Sequence, residues 1–159
     1  MSRCRTDRDC RVGYYYGDPE KPVWLEPPPG VATLPRPEVI WHEATFAEIR
    51  FALGARTRVS YFFEAKRRQL SRPQPDVLAA DTHRHLMAQA DGRALVVRQI
   101  FSGREVMRVE RDWAPGSALR DAVTAVHFDP DTRMTITWLR GPERVSVTER
   151  ISVPGIPRR

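Results

Sequence analysis

The chain has 159 residues, 41% hydrophobic and 29% charged, with 26 Lys+Arg against 20 Asp+Glu and a formal net charge of +6. No apolar run approaches the ~20 residues that a membrane-spanning helix needs, and the apolar content is too high for a chain disordered throughout. A length near 150 fits one domain that buries its own core.

The basic excess is local. Residues 45–72 hold seven basic residues and two acidic ones, while 1–44 carry −1, 73–115 carry 0 and 116–159 carry +2. All basic residues except Lys21 and Lys66 are arginine. Spread over every segment, that bias points to a GC-rich genome before it points to phosphate recognition, although guanidinium is the better fork for phosphate.

Residues 1–44 stand apart in composition. Seven of the 14 prolines fall between Pro19 and Pro37, which favours extended polyproline II and predicts an N-terminal arm. Tyr14, Tyr15, Tyr16, Trp24 and Trp41 are interleaved with them, as is Val39-Ile40. Large aromatics in an extended segment need a surface to lie on, so these five are candidate contacts of the arm. Arg3, Arg5, Arg8 and Arg11 have no apolar run behind them, so no signal peptide is expected. Two cysteines, Cys4 and Cys10, make no disulfide framework, although they could close a small loop. The expected location is a reducing, cytoplasm-like compartment or the interior of a large assembly.

From Thr45 the pattern changes, and 45–153 is expected to form one α+β domain, with 154–159 as a C-terminal tail. Thr45-Phe46-Ala47-Glu48 has the form of a capping box, and Gly54 stands where a helix-ending glycine belongs, so a helix is predicted over 45–53. The rival reading is a strand with Ala47, Ile49, Phe51 and Leu53 on one face. Val59–Phe63 is rich in β-formers and predicts a strand. Val77, Ala80, Arg84 and Met87 give a helical face, so a second helix is predicted over 76–90. Asp91-Gly92 is a turn.

The remainder predicts an antiparallel meander. Strands 94–101 and 105–111 flank Ser102-Gly103, strands 122–128 and 133–139 flank a turn with Pro130 at its second position, and a last strand covers 144–153. Met134, Ile136 and Trp138 alternate with polar residues, as do Val145, Val147, Ile151 and Val153, so one face is dry and one wet. The expected fold is thus α+β: a curved antiparallel sheet or partial barrel with one or two short helices and an extended Pro-rich arm. That architecture is loosely similar to small lipocalin-like barrels and to toxin-immunity proteins, a likeness that carries no site residues.

Few residues suggest chemistry. Glu149 falls on the apolar face of the last strand, where burial would raise its pKa toward a general-base value. Its ordinary alternative is an ion pair with an arginine. Cys4, Cys10, His83 and His85 make a nominal Cys₂His₂ set, but both spacings differ from those of zinc sites. No nucleophile elbow or phosphate-binding glycine loop is present, and no cofactor is expected.

Arg50, Arg56, Arg58, Lys66, Arg67, Arg68 and Arg72, interleaved with Tyr61, Phe62 and Phe63, are candidate contacts for a protein partner or a single-stranded nucleic acid. The leading expectation is a non-enzymatic interaction or assembly subunit of a large complex such as a virion. It would contact its protein partners through the arm and the basic patch. Nucleic-acid binding through 50–72 is the alternative. A small barrel enzyme or ligand carrier with an inward Glu149 is a further one.

Overall fold

The computed structural model describes residues 2–15, 17–18 and 20–155. Among the described residues it is nearly all β: 55% is strand, no helix reaches seven residues, and four antiparallel sheets are present, none of them closed. The expected α+β class, its two helices and the partial barrel are therefore corrected. The chain divides into two compact units, Met1–Pro75 and Asp76–Arg159.

In the first unit, β1 (Ser2–Thr6), β2 (Asp9–Tyr14) and β3 (Val23–Trp24) form a small sheet in that order. A second sheet holds β4 (Glu38–Glu43), β5 (Phe46–Ala52), β6 (Arg58–Glu64) and β7 (Gln69–Leu70), with β8 (Gln74–Pro75) also pairing β6. One core joins them: Cys10, Val12, Leu25 and Leu34 pack with Ile49, Phe51, Val59 and Tyr61.

The Pro-rich segment is thus fastened down rather than detached. Its backbone returns to β2 through Cys10 N–H to Leu34 O (2.7 Å) and Leu25 N–H to Val12 O (2.7 Å). The Tyr61 hydroxyl donates to the Glu26 carbonyl at 2.6 Å. Burial, and then the Glu26 carboxylate, push the Tyr61 pKa up to about 12. A side chain at Gly13 would meet the Trp24 ring at 2.9 Å, so glycine is what lets that ring lie against β2. A disulfide joins Cys4 to Cys10 across the β1–β2 hairpin, where the two residues are directly paired. Closing so short a loop stabilises by about 2 kcal/mol on the chain-entropy account.

The helix expected over 45–53 is instead β5, and the reason is burial on both faces. The register Ala47↔Phe63, Ile49↔Tyr61 and Phe51↔Val59 sets one face, and Phe46↔Glu64, Glu48↔Phe62 and Arg50↔Ser60 set the other. Phe46, Ala47, Glu48, Ile49 and Phe51 are all buried. Gly54 belongs to the β5–β6 hairpin and keeps an ordinary backbone φ.

In the second unit, β9 (Val77–Asp81), β10 (Leu86–Asp91), β11 (Ala94–Gln99) and β12 (Glu105–Val109) are sequential neighbours in one sheet. The sheet of β13 (Val123–Phe128), β14 (Arg133–Arg140) and β15 (Val145–Ser152) follows a single 3₁₀ turn at Leu119–Asp121. The helix expected over 76–90 is the β9–β10 hairpin. The Arg84 N–H caps Asp81 Oδ1 at 3.1 Å and His85 takes φ 54°, which reverses the chain within four residues.

Both sheets feed one core that includes Leu86, Leu95, Val97, Met134, Ile136 and Trp138. Trp113 and Trp138 meet edge to face, with centroids 5.0 Å apart. The expected dry face of Met134, Ile136 and Trp138 is buried, and Gly92 and Gly103 take the positive φ that their turns require.

Candidate interaction surface

The residues expected to act as one basic patch are spread along the length of β6. Arg56 lies in the turn before β6, Arg58 begins β6, and Lys66, Arg67 and Arg68 lie in the turn beyond its end. Seven strand residues separate the ends by roughly 20 Å. Arg50 is occupied by acids, with its Nε 3.0 Å from Glu48 Oε1 and a terminal nitrogen 3.6 Å from Glu38 Oε2. Arg67 lies 3.7 Å from Glu64. Arg72 is exposed beyond β7. The aromatic platform expected beside these cations is corrected: Tyr61, Phe62 and Phe63 are 2%, 0% and 8% exposed, all buried between or within the sheets.

Glu48 is the most constrained polar residue of this sheet. Its buried carboxylate accepts from Ser60 Oγ (2.6 Å) and Arg50 Nε (3.0 Å) and meets His42 Nε2 at 3.3 Å. The trio has the residue types of a hydrolase triad in the wrong order. The acid stands between Ser60 and His42, so no base is bonded to the hydroxyl that would attack. The cluster holds β4, β5 and β6 together.

Glu149 also takes its ordinary role. Arg111 grips it with two hydrogen bonds, Nε to Oε2 at 3.0 Å and a terminal nitrogen to Oε1 at 2.7 Å. Those bonds hold its carboxyl below the usual range, the opposite of the rise a general base would need. Cys4 and Cys10 are consumed by their disulfide and offer no thiolate. His83 and His85 share the β9–β10 turn, and the His85 ring stands edge-on to Phe101 at 5.3 Å. Among the described residues, no three His, Cys, Asp or Glu are placed to hold a metal ion.

The second unit has an open cleft of about 1120 Å³, lined by Asp81, His83, Arg84, Arg104, Glu105 and Asp129 among others. Arginines engage its carboxylates. Arg84 pairs with Asp81 at 3.1 Å, and Arg150 Nε donates to Asp129 Oδ2 at 2.7 Å. The Arg150 bond, opposed by partial desolvation and aided by Thr135, keeps Asp129 below the ordinary carboxylate range, and Arg108 does the same to Glu105.

These shifts predict a pH dependence. A carboxyl whose pKa is lower folded than unfolded stabilises the fold above its unfolded value, about 4. That contribution is lost as the pH falls through the folded value. The urea midpoint should therefore drop on acidification below about pH 4. Arg111→Ala and Arg150→Ala should lower the midpoint at neutral pH and converge on the parent in acid; parallel curves would contradict the assignment.

The aromatics expected in the arm separate into two groups. Tyr14 packs on Phe63 with centroids 4.8 Å apart. Trp24 lies under the Arg11 and Arg3 guanidinium groups at 4.6 and 5.8 Å. Tyr15 is 45% exposed, Trp41 is 62% exposed and Val39, two residues before it, is 48% exposed. Tyr16 lies outside the described residues.

Val39 and Trp41 share one face of β4, opposite Ile49 and Ala47 of β5. β4 is an edge strand: among the described residues only β5 pairs with it. Pro37 precedes it and a register shift between Trp41 and Glu43 interrupts its pairing before Glu43↔Phe46, two devices that blunt an edge. Composition hid this strand, because the prolines on either side of residue 36 made 38–43 look like arm. The short run of β-formers Val39-Ile40-Trp41 is the only local signal for it. No protein-family model, curated protein sequence or solved structure matches the chain.

Proposed function

We propose that the chain is a non-enzymatic interaction or assembly subunit of a larger complex, with the outer edge of β4 as its principal contact. The observation that carries this reading is Trp41, the most exposed large apolar side chain described, on a strand whose outer edge pairs with no other strand among the described residues. A tryptophan is the side chain most enriched where binding energy concentrates, and an unpaired edge offers backbone donors and acceptors to an incoming strand. Val39 widens the apolar contact, and Tyr15 supplies a second exposed aromatic.

The nucleic-acid reading draws less support, since its cations are spread along the length of β6 and Tyr61, Phe62 and Phe63 among them are buried. The enzyme or carrier reading loses its residue, because Glu149 is held ionised by Arg111 and lies outside the cleft lining. The Cys4–Cys10 disulfide fits an assembly that meets oxidising conditions better than a reducing compartment.

Tagged parent and Trp41→Lys chains, each purified natively from the source cell, test the proposal. Co-recovered partner should fall about tenfold or more in the variant while its melting temperature stays that of the parent. Equal recovery at equal stability would contradict the proposal.

A further inference from the structure

Resting on the interaction reading of β4, we propose that the occupant of this edge is a second copy of the chain, paired antiparallel across a two-fold axis at Ile40. Two-fold symmetry normal to the sheet requires opposed residues to lie on the same face, so the axis must pass through a residue and not between two. Only one such register matches residue types. Centred on Ile40, it sets Val39 opposite Trp41 of the second copy twice over, Ile40 opposite itself, and Glu38 opposite His42. Centred on Trp41, it would set Val39 opposite Glu43 and Ile40 opposite His42, apolar against polar in each pair. Centred on Val39, it would set Trp41 opposite Pro37.

The surroundings complete the match. Glu38 is 65% exposed in its side chain and has Arg50 at 3.6 Å, while His42 touches Glu48 at 3.3 Å. Pairing Glu38 with His42 of the second copy joins the two clusters into one row: Arg50, Glu38, then the second copy's His42 and Glu48. On the other face, two Trp41–Val39 pairs cover apolar surface that is 62% and 48% exposed in the single chain. Residues 38–42 alone bury far less than the ~1,600 Å² of a standard interface, so the association is weak and concentration-dependent.

Sedimentation equilibrium of the full chain over a wide concentration range gives the first test. The mean mass should rise from 18.3 kDa toward twice that value, and Trp41→Lys should weaken the association about tenfold or more. Under mild oxidation Ile40→Cys should link to itself, since directly opposed strand residues fall within disulfide reach. Glu38→Cys should not, because its own counterpart lies about 14 Å away. A parent chain that stays at 18.3 kDa throughout, or a dimer indifferent to Trp41→Lys, overturns the proposal. A monomeric parent whose recovery of other proteins still depends on Trp41 overturns the second copy alone and leaves the interaction reading standing.

Discussion

Arg50→Ala should destabilise the first unit by about 3 kcal/mol or more, and Glu48→Gln by about 1–3 kcal/mol. The order follows from where each charge sits. The Glu48 side chain is 2% exposed and that of Arg50 is 28% exposed. Removing the arginine strands a buried carboxylate with Ser60 and His42 as its remaining partners. Removing the negative charge leaves an arginine that can turn to water, and glutamine still accepts from Ser60. Urea unfolding of the two variants decides it: equal costs, or a larger cost for Glu48→Gln, would show that the carboxylate is not the buried member of the pair. The same result separates the fold from binding, since Arg50 then acts on stability rather than on a partner.

In the second unit, Trp138→Ala should cost about 3–5 kcal/mol. Trp138 is 4% exposed, stacks edge-on to Trp113, and sits between the sheets beside Met134 and Ile136. Its ring N–H has no hydrogen-bond partner, so Trp138→Phe removes volume but no polar contact and should cost far less. Val145→Ala on the neighbouring strand, at a site 48% exposed, should stay within about 0.5 kcal/mol. Thermal unfolding of the three variants would contradict this picture if Trp138→Ala and Val145→Ala melted alike.

One wet face made β14 legible, while β6 and β11 were legible from their β-formers and flanking turns although both carry runs of consecutive buried residues. β14 alternates cleanly because Arg133, Thr135 and Thr137 look outward while Met134, Ile136 and Trp138 look inward, whereas β15 buries its expected dry face only in part and leaves Val145 exposed. The strands misread as helices also lack one wet face. β5 and β10 carry runs of four consecutive buried residues, Phe46–Ile49 and Leu86–Gln89. Burial on both faces erases the period of two. Thr45 and Glu48 then imitated a capping box, while the Glu48 carboxylate was needed across the sheet by Ser60 and Arg50.

The proposed contact surface was half legible for a related reason. Trp41 stood out as an aromatic wanting a surface, but that Val39, Ile40 and His42 belong with it depends on pairing with residues ten or so positions downstream. The spread of the basic residues was not legible either. Residues close in sequence were placed at opposite ends of β6, because a seven-residue strand carries its ends apart.

The central claim is that the outer edge of β4 is covered in the working assembly. Amide hydrogen exchange over residues 38–42, measured on the dilute isolated chain and on the chain within its native assembly, tests it without knowledge of the partner. Outward-facing amides should exchange rapidly in the isolated chain and be protected in the assembly by at least tenfold, with the buried β5 and β6 amides slow in both. Equal exchange over 38–42 in the two states would contradict the claim.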